Sequence, residues 1–162
     1  MPRSNVSAGI LLWRRTRDGE LEVLLGHPGG PFFATKDDGH WSVLKGEVEP
    51  GDDHLTVARR EFEEETGHAA PDGEPIPLGQ IRQKGGKIVH AWALEGDLDP
   101  STAVSNTFEM EWPPRSGRTK EFPEIDRVEW FDVPSARTKI KAEQAPFLDR
   151  LRGGARCFDG PR

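Results

Sequence analysis

Residues 46–68, GEVEPGDDHLTVARREFEEETGH, decide how the rest of the chain is read. The stretch opens as a loop with Gly and Pro and continues as a helix carrying Glu61, Glu63, Glu64 and Glu65 within five positions. Asp52 or Asp53 caps the helix N-terminus, the Pro50-Gly51 pair breaks what precedes it, and Gly67 is placed to stop it. Leu55, Ala58 and Phe62 recur at helical spacing, a narrow apolar face that packs on a sheet. Glu61, Glu64 and Glu65 are related by i, i+3 and i+4 and project together from another side.

Negative charge near a helix C-terminus opposes the macrodipole, at about 0.3–1 kcal/mol per exposed group. The like-charged i,i+4 pair Glu61/Glu65 adds a few tenths more. No lysine stands four residues beyond any of these glutamates; those positions hold Glu65, Gly67, His68 and Ala69. A run of charge is also what a solvated helix face looks like, and EFEEE alone favours that reading. Without neutralising lysines, the economical counter-charge is a divalent cation. Mg²⁺ and Mn²⁺ take oxygen ligands, which clustered carboxylates supply.

Outward from this stretch, the chain reads as strands, one helix, more strands, then helix. Residues 6–15 form a strand, the Asp18-Gly19 turn a hairpin, and residues 21–26 the return strand. Residues 27–40 are a Gly/Pro loop, and residues 41–44 a short extended piece. Residues 78–83 and 88–94 are strands around a Gly85-Gly86 turn. Residues 108–112 alternate as a half-buried strand does. Residues 113–123 read as a basic loop, residues 125–131 as a last strand, and the chain from 134 as helix in two pieces. One domain over residues 1–152 is expected, with residues 153–162 a loose tail. The class is α/β (α+β), with the key helix packed on a sheet.

The chain has 162 residues and a net charge of −6, with 31% charged residues. Nucleic acid is an improbable main partner for so acidic a chain. No run reaches the ~18 apolar residues of a membrane span. Cys157 is the sole cysteine, which excludes an internal disulfide framework and suits a reducing cytoplasm. Basic residues cluster at Arg14, Arg15 and Arg17, at Lys84 and Lys87, at Arg115, Arg118 and Lys120, and at Lys139 and Lys141. Lys84 and Lys87 flank the Gly-Gly turn and can approach phosphates; Arg14 and Lys45 are further candidates. Trp41, Trp92, Phe32 and Phe33 are candidates to stack on a base, although aromatics beside strands are more often core.

Residues 46–68 resemble the signature of the Nudix hydrolases. Gly46 opens the box, Asp52 stands at its first glutamate position, and Arg60, Glu61, Phe62, Glu64, Glu65 and Gly67 follow in register. Asp52 is one methylene shorter than the family's glutamate, and His68 replaces an apolar residue. The resemblance implies an α/β/α sandwich around a mixed sheet. It also implies hydrolysis of a nucleoside diphosphate linked to another moiety, with Mg²⁺ or Mn²⁺ and a small nucleotide as substrate. Carried over by residue, Glu61, Glu64 and Glu65 bind metal with the backbone carbonyl of Lys45. Glu61, Glu64, Glu65 or another nearby glutamate deprotonates water, and Arg60 orients Glu61 or its neighbours; Asp52 would help hold Arg60. A further carboxylate is expected six residues before a late tryptophan; Glu124, six before Trp130, comes first, with Glu111 and Glu121 as alternatives. The segment WSVLKGEVEPG is similar to that of dinucleoside polyphosphate hydrolases. The alternatives are a binding or sensing module of the same fold with little catalysis, and a hydrolase of another substrate such as ADP-ribose.

Overall fold

The computed structural model describes residues 5–159, with side chains described through Gly154. The elements run β1 (Val6–Arg15), β2 (Leu21–Pro28), β3 (Leu44–Glu47), α1 (His54–Thr66), β4 (Ile76–Arg82), β5 (Ile88–Glu95), β6 (Thr107–Glu111), β7 (Thr119–Pro123), β8 (Ile125–Asp132), α2 (Val133–Lys139) and α3 (Ala145–Asp159). The main sheet follows the order β4-β5-β1-β2-β8, with β3 joining β1 beside β2. β1 and β5 are parallel and the other pairs antiparallel, so the sheet is mixed. β6 and β7 form a separate hairpin.

β1 is apolar in series because both its faces are covered, as expected of a central strand. Leu11 and Trp13 join the core under α2 and α3 with Ala136, Phe147, Leu148 and Leu151. Ala8, Ile10 and Leu12 join the opposite core, with Val57, Ala58 and Phe62 of α1. The result is the expected α/β/α sandwich. Asp53 is the cap of α1, accepting hydrogen bonds from the Thr56 amide at 3.0 Å and its hydroxyl at 2.7 Å. Gly67 ends the helix with φ of 76°, and its N–H donates to the Glu63 carbonyl.

Three expectations are corrected. The segment expected to be a basic loop contains β7, whose residues pair with β6 through backbone bonds that need no apolar alternation. The short extended piece at residues 41–44 is displaced: regular pairing begins at Leu44, while Trp41 and Ser42 make isolated bridges to Ile140 and Gly26. α3 continues through Asp159, into the segment expected to be a loose tail; residues 160–162 of that segment lie outside the described residues. Among the described residues, no helix is long and apolar enough to cross a membrane.

Candidate active site

β3 and α1 build the site together. β3 pairs with the first half of β1, setting Lys45 opposite Gly9 and Gly46 opposite Ala8. α1 packs over both strands, and Glu61 reaches the backbone at Gly46. A Cβ on residue 46 would overlap the Glu61 carboxylate. The box glycine is therefore required by a side chain fifteen positions later, because only a residue without Cβ lets carboxylate and strand approach so closely.

A cleft of ≈ 400 Å³ opens here. Glu61, Glu64, Glu65 and Glu124 line it, together with Lys45 and Lys87. Glu65 is less free than the helical spacing implied. It is 9% exposed, wedged at the seam between the acidic side of α1 and its apolar stripe. Burial, then the Glu61 charge, pushes its carboxyl from 4.5 up to about 8, against the attraction of Lys45. Burial and the Glu64 carboxylate, with which it shares a hydrogen bond, push Glu61 up to about 7; Arg60 opposes this and Glu124 adds to it. Burial, then the Lys141 ammonium, pulls Lys45 from 10.5 down to about 8, with Lys87 adding and Glu65 opposing. Two desolvated, mutually repelling carboxyls with perturbed protonation in a cleft are the physical pattern of a functional site.

Glu124 sits in the single-residue gap between β7 and β8. Its N–H donates to the Asn106 carbonyl and its carbonyl accepts from Gly29, both at 2.9 Å. Asn106 is in turn tied to α1, its N–H donating to the Glu64 carbonyl at 2.9 Å. The far end of the chain is thereby registered against the acidic helix. Of the alternatives to Glu124, Glu111 accepts from the Arg115 and Gly117 amides at the hairpin turn and Glu121 faces Glu109 across the hairpin; neither lines the cleft.

Arg60 stands 3.9 Å from Glu61 Oε1 and is half exposed. Asp52, whose family counterpart was expected to hold that arginine, accepts instead from the Glu49 amide at 3.3 Å and fixes the loop before α1. His68 ends the helix region with Nε2 2.8 Å from the Thr102 hydroxyl, away from the cleft lining.

Of the expected substrate contacts, the structure brings Lys45 and Lys87 to the cleft and leaves three elsewhere. Arg14 lies at the other end of β1, held by Glu22 at 2.8 Å and Asp97 at 2.7 Å and stacked over Trp130. Trp41 is 1% exposed, its indole N–H bonded to Asp37, so its ring fills the core and is closed to a base. Lys84 stays at the turn, its amide donating to Glu143. Phe32 and Phe33 are exposed, Phe32 against Trp112, and Trp92 stacks on His90. Ser7 and Asn106 also line the cleft. The sequence carried no signal for either, since both arrive through strand pairing and a backbone bond.

Comparison with known proteins places the chain in a family. The NUDIX domain family model matches residues 3–151, and the chain belongs to the Nudix hydrolase family. An 8-oxo-(d)GTP phosphatase of Mycolicibacterium smegmatis is 33% identical over 150 residues, covering 83% of this chain and 37% of that protein. An octanoyltransferase of Myxococcus xanthus is 34% identical over 102 residues, 63% of this chain and 25% of that protein. The chain thus spans between a quarter and somewhat over a third of these curated relatives. A C. elegans Ap4A hydrolase, solved as a binary complex, shares the fold with a TM-score of 0.64 at 22% identity, covering 94% of this chain and 99% of that one.

Proposed function

We propose that this domain hydrolyses a phosphoanhydride bond in a nucleoside polyphosphate or dinucleoside polyphosphate, with water attacking phosphorus and Mg²⁺ or Mn²⁺ as cofactor. One observation carries the reading: Glu61, Glu64, Glu65 and Glu124 share a single cleft with Lys45 and Lys87. The names of the two nucleotide-hydrolysing relatives point to the same substrate class.

The residues fit a hard divalent cation. The donors are carboxylates, joined by the Lys45 carbonyl on β3, with neither sulfur nor imidazole among them. Burial and mutual repulsion raise the Glu61 and Glu65 carboxyls, and a bound cation would favour their ionised form. Among the described residues no three acidic or histidine side chains already stand close enough together to hold a metal ion, so the carboxylates would have to converge on it. When bound, the cation would neutralise diphosphate charge and lower the pKa of water. Glu61 interacts with Glu64, and in this reading one carboxylate of the cleft takes the proton from the attacking water. Arg60 orients Glu61, and Lys45 and Lys87 hold phosphate oxygens, since phosphoryl transfer depends mainly on positioning and electrostatics.

The test is turnover with Mg²⁺ on ATP, 8-oxo-dGTP, Ap4A and ADP-ribose, with heavy-oxygen water marking the attacked phosphorus. Glu64→Gln should lower kcat by about a hundredfold or more, the scale on which lost transition-state stabilisation registers. Full activity in that variant overturns the assignment. Nucleotide binding without turnover in the wild-type protein makes the domain a sensing module instead.

A further inference from the structure

A second cleft, of ≈ 180 Å³, adjoins the first and shares Lys45, Glu65 and Glu124 with it. It is smaller than the ~300 Å³ at which small-molecule pockets begin, so it suits phosphoryl groups better than a nucleoside. Lys141 lines it beside His40 and Ser42.

The sequence pairs Lys141 with Lys139 as one basic cluster, and the structure separates them. The Lys139 ammonium is bound to Asp37 at 2.7 Å and Asp38 at 3.1 Å. Between them Ile140 is extended, with φ −72° and ψ 150°, and buried in the core. Neighbouring side chains of an extended segment point to opposite sides, so burying Ile140 turns Lys141 toward the cleft. Its backbone is fixed: the Lys141 N–H donates to the Trp41 carbonyl at 2.9 Å and the Trp41 N–H to the Lys139 carbonyl at 3.0 Å. The fully buried Gln144 adds bonds to the Val43 amide, Ser42 and Gln83.

The Lys141 side chain is half-buried and makes no ion pair or hydrogen bond among the described residues. Glu143 feels its charge only at longer range. Lys45 lines both clefts, with Lys87 in the first and Lys141 in the second, so three cationic side chains flank the place where the clefts meet, beside Glu65 and Glu124. In the proposed function, Lys45 and Lys87 with the cation the carboxylates would hold suffice for a two-phosphate linkage. The third lysine, one cleft further on, matches a longer polyanion.

We infer that Lys141 is a specificity-determining residue that seats an outer phosphate of a substrate with three or more phosphates. The inference rests on the proposed hydrolytic function and names the substrate class within it.

The test compares wild type, Lys141→Ala and Lys141→Arg. Lys141→Ala should raise the KM for Ap4A about tenfold and that for ADP-ribose less than threefold, with the kcat for Ap4A within twofold; Lys141→Arg should restore most of the loss. Calorimetry of inorganic tripolyphosphate binding to the chelated protein reads the same site without turnover, and Lys141→Ala should weaken it about tenfold. Equal KM changes for both substrates, a loss confined to kcat, or unchanged tripolyphosphate affinity overturns the inference. If the wild type turns over no nucleotide, the hydrolytic reading fails by itself and the tripolyphosphate comparison still decides the role of Lys141.

Discussion

Removing the charge of Glu65 should stabilise the cation-free protein while destroying its activity. The carboxyl sits at about 8 in the folded protein against an ordinary 4.5, because it is buried beside Glu61. The folded state therefore binds this proton more tightly than the unfolded chain does. Its contribution to stability is complete below about pH 4.5 and is lost as pH rises through about 8. At about 1.4 kcal/mol per pH unit, ionisation of this group in the unfolded chain, while the folded protein still holds its proton, lowers stability by up to about 3 kcal/mol by pH 7. Relaxation of the site lowers this, leaving about 1–3 kcal/mol for Glu65→Gln to recover. For a chain of this size each kcal/mol moves Tm by about 2–4 °C. In chelator at about pH 7, Glu65→Gln should thus melt roughly 3–10 °C above wild type, and near pH 5 the gap should shrink to about 2 °C or less. Excess Mg²⁺ should raise the wild-type Tm by mass action and leave the variant nearly unmoved. Thermal melts across pH, with and without chelator, check this. A variant that melts with or below the chelated wild type at about pH 7 refutes the account of Glu65 as a carboxyl whose ionised form is disfavoured by burial.

Gly46→Ala places a methyl group on the Glu61 carboxylate. It should lower kcat/KM about a hundredfold or more, the scale set by an ångström of misplacement, while circular dichroism shows the fold retained; wild-type kinetics would contradict the close approach. Trp41→Phe removes the indole bond to Asp37 from a core position. It should cost about 1–2 kcal/mol in denaturant unfolding and change KM for any turned-over nucleotide less than threefold; a large KM effect would return Trp41 to the substrate site.

The acidic helix was legible because its determinants are local. Capping by Asp53, the stop at Gly67, the apolar set Ala58 and Phe62, and the acidic set Glu61, Glu64 and Glu65 all lie within one helical repeat of their partners. Most strands were legible for the same reason, through alternation and turn residues. β7 was not, because its residues answer only to the backbone of β6. Aromatic and basic side chains misled at Trp41 and Arg14, since either type serves a core or an ion pair as readily as a ligand.

The sequence by itself determined the family: a box of glycine, arginine and glutamates whose spacing a helix converts into one acidic face. Only the tertiary structure decided which residues outside the box meet it. Glu124 arrives through the Asn106 and Gly29 backbone bonds, Lys87 through the parallel pairing of β5 with β1, and Lys141 through the bridge from Trp41 to Ile140. Those contacts join positions tens of residues apart, where side-chain periodicity carries no information about which strands will pair.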